Sequence, residues 1–153
     1  MNIPVYQRIL AILIYILPWS DSIPFGWHLF EIFPPLKLLI IPAAPILILK
    51  QTIPFGSLIL FFGLFIGVIR NQNVPYYLRF NTLQALLLDI IIVLFSYTVR
   101  ILIAPIGSSL ILRAFSSTLL ISMLTIMIFM VIESVQGKEP DLPAISQAVR
   151  MQL

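Results

Sequence analysis

A short series of polar side chains interrupts the otherwise apolar run of residues 80–99. If this run crosses a membrane, a charged carboxylate near its middle, such as Asp89, costs about 2.5–3.5 kcal/mol. On a helical wheel the polar residues share less than half of the circumference, and they are Asn81, Gln84, Asp89, Ser96 and Arg100. Lipid cannot satisfy such a stripe, so it must face protein or water. Two interpretations are open here: a polar lining for a path through the membrane, or hydrogen-bonded contact between helices.

The sequence offers no recognisable catalytic constellation. Cysteine is absent and His28 is the single histidine, which excludes thiolate ligands and a His-rich metal site within one chain. Neither a His-Glu-x-x-His signature nor a Gly-rich phosphate loop is present. We therefore predict no enzyme activity, no catalytic residue, no metal site and no cofactor.

The composition indicates lipid as the surrounding solvent. Of the 153 residues, 60% are hydrophobic and 10% are charged, whereas soluble domains carry about 25% charged residues. A soluble chain of this size would lack the polar surface needed to cover its core. The net charge of +3 comes from nine basic residues spread singly along the chain, which is not the clustered pattern of a nucleic-acid-binding surface. The chain is therefore predicted to be an all-α integral membrane protein. We expect it to contact membrane lipids and to bind no nucleic acid.

Four apolar stretches are candidates for membrane-spanning helices, each of which needs about 20 residues, with about 17–25 the usual range. Their ends carry basic or aromatic side chains, which are favoured at the membrane interfaces. The predicted spans are residues 5–19, 53–69, 80–99 and 115–132. Together they predict a four-helix membrane domain over residues 1–133. With four spans both chain ends lie on one side, and five basic residues against four slightly favour the cytoplasm-like side.

Residues 21–50, between the first two predicted spans, are interpreted as interfacial. The apolar run 38–49 is too short to span and contains Pro42 and Pro45, which break helical hydrogen bonding. We expect this run to be re-entrant or interfacial, so that it does not cross the membrane. The aromatic-rich stretch 21–35 fits equally a segment in the headgroup plane and a loop packed on the helix ends.

Gly63 and Gly67 form a Gly-xxx-Gly pair within the second predicted span. Small residues at this spacing allow close approach of two helices. The pattern is weak by itself, and we expect ordinary packing within the chain.

The last segment, residues 134–153, is predicted to leave the membrane as an amphipathic tail. Asp141 and Pro143 are typical of a helix start. The apolar face of this helix consists of Ile145, Ala148 and Val149. The opposite face consists of Ser146, Gln147 and Arg150. We expect the apolar face to dock on the membrane surface or on a partner.

Three stretches of this sequence resemble a known family. Residues 8–26 read RILAILIYILPWSDSIPFG, residues 67–90 read GVIRNQNVPYYLRFNTLQALLLDI, and residues 140–153 read PDLPAISQAVRMQL. They closely resemble the Tic-twenty family, the small polytopic membrane subunit of the translocon at the inner chloroplast envelope. The most specific part joins Tyr77, Arg79 and Phe80 to the polar residues of the following helix.

The resemblance implies a protein of four membrane helices with both termini on the stromal side. It implies a role in moving preproteins across the plastid (chloroplast) inner envelope, as part of the protein-conducting path. The partners implied are other translocon membrane subunits and translocating preproteins. Nuclear-encoded members of the family carry a transit peptide, and none is recognisable here. We therefore expect a plastid-encoded algal member or a cyanobacterial relative, and in the latter case a plasma or thylakoid membrane.

Two other functions compete with a conducting subunit. A structural assembly subunit would hold the translocon together without conducting, and its polar stripe would be buried against a partner helix. A small-solute or ion transporter would show internal repeats with broken helices at matching positions, and the sequence shows one Pro-broken segment without a match.

Overall fold

The computed structural model describes residues 2–106 and 109–153, a part of the chain that contains helices and turns but no β-strand. The first helical segment consists of α1 (Val5–Ile14), α2 (Ile16–Ser22), a 3₁₀ turn (Ile23–Gly26) and α3 (Trp27–Ile32). The second consists of a 3₁₀ stretch (Pro34–Ala43) and α4 (Ala44–Thr52). The third consists of α5 (Gly56–Leu64) and a π-helical turn (Phe65–Ile69).

The longest helices lie in the second half of the chain. They are α6 (Tyr76–Thr98), which continues through a π turn (Val99–Ile103) and a 3₁₀ turn (Ala104–Ile106), and α7 (Ser109–Val135). A short helix, α8 (Ile145–Gln152), ends the chain. Within the described residues, four helical segments are long and apolar enough to cross a membrane: Val5–Ile32, Pro34–Thr52, Tyr76–Ile106 and Leu110–Val135. The predicted all-α membrane protein, with its Pro-broken segment and C-terminal helix, is confirmed.

The four long segments are not the four stretches that the sequence predicted as spans. Pro34–Thr52 reaches the required length, whereas Gly56–Ile69 is a shorter apolar helix. Nine α-helical and five π-helical residues correspond to about 20 Å, less than the roughly 30 Å of a hydrocarbon core. Length alone therefore favours Pro34–Thr52 as the span.

The contacts of Pro34–Thr52 favour the other assignment. Trp19 Nε1 donates to the Leu39 carbonyl at 2.9 Å, and Lys50 Nζ lies 2.7 Å from Asp21 Oδ1. Residues 39 and 50 would be separated by about 16 Å along a helix axis, yet both reach α2 at nearly one level. These contacts fit a segment that crosses α2 obliquely, as an interfacial or re-entrant segment does. Which of the two segments crosses the membrane stays a prediction.

A tight turn joins α4 to α5. Phe55 adopts the left-handed conformation with φ of 55°, and its side chain is exposed. A Cβ on Gly56 would lie 2.9 Å from the Lys50 Cα. Glycine at this position therefore permits the close approach that sends α5 back along α6.

The packing order fixes the directions of the helices. Ala11 lies in a buried cluster with Leu78, while Ile23 lies in a second cluster with Ile92. Residue numbers thus rise together, so the first segment and α6 run in the same direction. A Cβ on Gly26 would lie 2.4 Å from Leu120, in the first half of α7, whereas Arg8 Nη1 donates to the Val135 carbonyl at the end of α7 at 3.1 Å. α7 therefore runs the opposite way. This arrangement brings the start of α1 and the end of α7 to the same side, as expected from the sequence.

Candidate functional site

The polar residues predicted as one stripe on α6 fall into separate environments. Asn81 and Gln84 are fully buried within the chain, and Asp89 is 8% exposed. Ser96 is half-buried and Arg100 is exposed. The stripe is therefore not a continuous lining within one chain. Two sites result from this division: a buried amide network around Gln84 and a charged cluster around Asp89.

Gln84 bonds α6 to the junction of α1 and α2 and to the C-terminal tail. Its Nε2 donates to the Tyr15 hydroxyl at 3.2 Å and to the Pro140 carbonyl at 3.0 Å. Its Oε1 accepts a hydrogen bond from the Ser146 hydroxyl. Both N–H groups and the carbonyl of this amide are thus satisfied, which is what a buried amide requires.

Asn81 completes the buried amide network one turn earlier on α6. Its Oδ1 accepts from the Tyr15 hydroxyl at 2.8 Å, and its Nδ2 donates to the Tyr77 carbonyl at 2.8 Å. The Tyr15 hydroxyl therefore donates to Asn81 while it accepts from Gln84. Tyr15 is fully buried, and sequence reasoning missed it because one tyrosine in an apolar run carries no polar pattern.

The residues that carry the family resemblance hold the ends of neighbouring segments. The Tyr77 hydroxyl donates to the Lys138 carbonyl at 3.2 Å, and Arg79 Nε donates to the Ile69 carbonyl at 2.9 Å. Phe80 is fully buried, and the Arg150 guanidinium lies 5.3 Å from its ring centroid. These contacts fasten the start of α6 to α5 and to the tail.

The tail helix α8 packs against α6, and its predicted faces need one correction. Val149 is fully buried while Ile145 and Ala148 are half-buried. Ser146, which was placed on the polar outer face, is also fully buried. It turns inward because its hydroxyl donates to Gln84 and accepts from the Leu142 N–H at 2.8 Å. A helical wheel separates apolar from polar residues, but it does not show that the buried Gln84 amide requires the Ser146 hydroxyl as a partner.

The charged cluster brings Asp89 next to residues from two other segments. Lys50 Nζ lies 2.7 Å from Asp21 Oδ1 and 3.0 Å from Ser20 Oγ. Asp21 and Lys50 are the charged neighbours of Asp89. Within the described residues, Asp89 Oδ1 is buried and has no hydrogen-bond partner. The carboxyl groups of Asp21 and Asp89 therefore lie side by side, and Lys50 is ion-paired with Asp21.

Gly63 and Gly67 contradict the expectation of packing within the chain. A Cβ at either position would meet nothing within 4 Å. Both glycines line a shallow depression on α5. The predicted intrachain contact is wrong because α5 turns its other side toward α6, where Phe61 and Phe65 pack in one cluster with Leu83 and Leu86.

These arrangements define the class of protein. The buried amide network holds helices together, and the described residues contain no group of three or more His, Cys, Asp or Glu side chains that could hold a metal ion. The chain is a polytopic helical membrane protein with a buried amide network between its helices and a largely buried charged cluster.

Comparison with known proteins gives the family. A family model described as "Chloroplast import apparatus Tic20-like" matches residues 4–149. The chain is 34% identical to a Tic20 family protein of Synechocystis sp., over 96% of this chain and 92% of that protein. It is 33% identical to the protein TIC 20-II, chloroplastic, of Arabidopsis thaliana, over 98% of this chain and 74% of that protein. It is 32% identical to the Tic20 family protein Ycf60 of Gracilaria tenuistipitata, over 99% and 78% respectively. The chain therefore belongs to the Tic20 (Tic-twenty) family.

Proposed function

We propose that this chain is a membrane subunit of the preprotein translocon at the chloroplast inner envelope, and that it forms the conducting path with other subunits or further copies. The observation that carries the proposal is the family match, which extends over almost the whole chain. The partners are other membrane subunits of the translocon and the preproteins that pass through it.

The buried amide network supports a path that this chain forms together with a neighbour. A path for a polypeptide needs polar groups that face water, because an extended backbone cannot remain unsatisfied in lipid. Asn81 and Gln84 are instead fully buried and bonded to Tyr15 and the tail. Of the other residues of the predicted stripe, Asp89 lies in the charged cluster, Ser96 is half-buried and Arg100 is exposed. The path is therefore built at the outer surface of this chain, against a neighbour.

A structural subunit that conducts nothing is the second candidate. It is favoured by the same buried amide network, since polar groups used as contacts between helices are what an assembly subunit needs. The two candidates differ in one respect: only a conducting subunit touches the preprotein in transit.

Photocrosslinking in intact plastids with an arrested preprotein separates these candidates. A photoreactive residue replaces one exposed side chain at a time, on α1, on the π turn after α5, on the π turn after α6 and on α7: Ile9, Ile66, Ile101 and Ile128. We expect the arrested preprotein to co-purify with the tagged chain and to form an adduct at one or more positions.

The other outcomes are equally informative. Co-purification without an adduct at any position indicates the structural subunit. If the preprotein neither co-purifies nor forms an adduct, while a known translocon channel subunit does both in the same preparation, the proposed function is wrong.

A further inference from the structure

A groove opens between α5 and α6 on the outer surface of the bundle, beside the charged cluster. Its volume is about 570 Å³. Its polar lining consists of Asp21, Ser57, Asp89 and Tyr97. Its apolar walls are formed by Leu58, Phe61, Phe62, Ile90, Val93 and Leu94. The groove therefore follows the helix axes for about two turns of α6, with acidic groups in an apolar surround.

Asp89 is the unmatched group in this groove. It is only 8% exposed, and its Oδ1 has no hydrogen-bond partner among the described residues. A buried oxygen without a donor is unfavourable, and such groups in native proteins call for an explanation. The simplest is a donor that another molecule supplies.

Lys50 does not supply it, since no hydrogen bond joins its ammonium group to Asp89 Oδ1. Its ammonium contacts Asp21 at 2.7 Å and Ser20 at 3.0 Å, and its side chain is only 9% exposed. The cluster thus contains two acidic groups and one basic group, which leaves one carboxylate unbalanced. A further cation would balance the second carboxylate, and a basic side chain provides both the charge and the N–H donor.

The open face of α5 adds an independent feature. Gly63 and Gly67 lie free of contacts, next to Leu58 and Phe62, which line both this face and the groove. Two exposed glycines on one face of a helix permit close approach of another helix backbone. α5 with its π turn is also shorter than the hydrocarbon core, so a neighbouring helix would shield its ends.

We propose that a transmembrane helix of another translocon subunit lies in this groove and donates from a lysine or arginine side chain to Asp89. The inference rests on the proposed function, since it names a partner within the same assembly. A helix fits better than an extended preprotein segment, because the apolar walls could not satisfy the backbone N–H and C=O groups of an extended chain. Gly63 and Gly67 admit the backbone of the partner helix on the neighbouring face of α5.

Photocrosslinking in native membranes tests this proposal. A photoreactive residue replaces Leu94 or Phe62 in the groove, and in the control it replaces Ile121 on α7, which is 54% exposed and does not line the groove. We expect the groove probes to form an adduct with an apolar helix of another membrane subunit. Mass spectrometry of the crosslinked peptide should find a lysine or arginine within about one helical turn of the crosslink.

Changes at Asp89 test the charge. Asp89→Asn should reduce the groove adduct by roughly fivefold or more, as expected when a hydrogen-bonded contact in a membrane worth about 1–2 kcal/mol is lost. Asp89→Lys, combined with aspartate at the basic position of the partner, should restore it. The melting temperature of each purified variant is measured in parallel, so that a loss of adduct caused by misfolding is recognised. The deciding result is whether the exchanged charges restore the groove adduct.

Four results would overturn the proposal: an adduct with lipid only, an adduct with a second copy of this chain, an adduct with the preprotein, or an adduct unchanged in Asp89→Asn. The proposed function can fail separately. If the groove holds a basic helix of a subunit that never associates with a preprotein, the groove inference stands and the translocon assignment falls.

Discussion

The buried amide network and the charged cluster lie on the same helix within two turns of each other, yet they differ in completeness. Every polar atom of the Gln84 and Asn81 side chains has a partner within the chain. The charged cluster leaves Asp89 Oδ1 without one. A satisfied network stabilises the isolated chain, whereas the unsatisfied acid is the group that we propose bonds to a partner helix. Variants at the two sites should therefore separate folding from assembly.

The largest effect is expected from Gln84→Leu. This change removes the amide donor to the Pro140 carbonyl and to Tyr15, and the acceptor of the Ser146 hydroxyl. The Ser146 hydroxyl still lies 3.2 Å from the Pro140 carbonyl and partly replaces the lost bonds. Because each lost hydrogen bond costs about 1–3 kcal/mol, the free energy of unfolding should fall by about 2–3 kcal/mol. Denaturant titration of the purified chain in detergent measures it. Ser96→Ala is the matched control on the same helix, and it should change stability by less than about 0.5 kcal/mol; equal effects would mean that the amide network is not structural.

Ser146→Ala should have a smaller effect that is confined to the tail. The change removes the hydroxyl that donates to Gln84 and accepts from the Leu142 N–H, at a cost of about 1–2 kcal/mol. Amide hydrogen exchange in α8 should become about tenfold faster, while α6 stays protected. Gln147→Ala, at the exposed neighbouring position, serves as the control. Unchanged exchange in the Ser146 variant would show that apolar contacts alone dock the tail.

Asp89→Leu should change the isolated chain less than either variant. Because Asp89 Oδ1 bonds to nothing in the described chain, its loss should alter the free energy of unfolding by less than about 1 kcal/mol. Recovery of the native complex from membranes should fall in the same variant. A loss of stability as large as that of Gln84→Leu would remove the distinction between the two sites.

Side-specific labelling tests whether the segment that contains Lys50 crosses the membrane. The cysteine substitutions are expected to leave stability unchanged. We predict that Pro34–Thr52 does not cross the membrane, so single cysteines at Lys37 and Thr52 should react with an impermeant reagent from the same side. Both positions are exposed, and the chain has no native cysteine. Labelling from opposite sides would make Pro34–Thr52 a span and would place Lys50 near one surface.

The sequence predicts the class of fold well because its signals are local. Each signal concerns one element: the long apolar runs, the two prolines of the middle segment and the periodicity of the tail. In lipid the backbone must satisfy its own hydrogen bonds, which favours helices for the apolar runs. The division of the α6 stripe could not be predicted in the same way. The contact of Gln84 with Tyr15 and the inward orientation of Ser146 both depend on residues that lie about 60–70 positions apart in the sequence. The path of residues 34–52 likewise depends on Trp19 and Asp21, which no local pattern connects to it.

The most direct test of this account is a density map of the native membrane assembly that contains the chain, at a resolution that shows side chains. We predict a helix of another subunit in the groove between α5 and α6, with a basic side chain within hydrogen-bond distance of Asp89. We also predict that Asn81 and Gln84 remain enclosed by Tyr15 and the tail. A groove that faces lipid, together with a water-filled passage that runs along Asn81 and Gln84, would contradict the account.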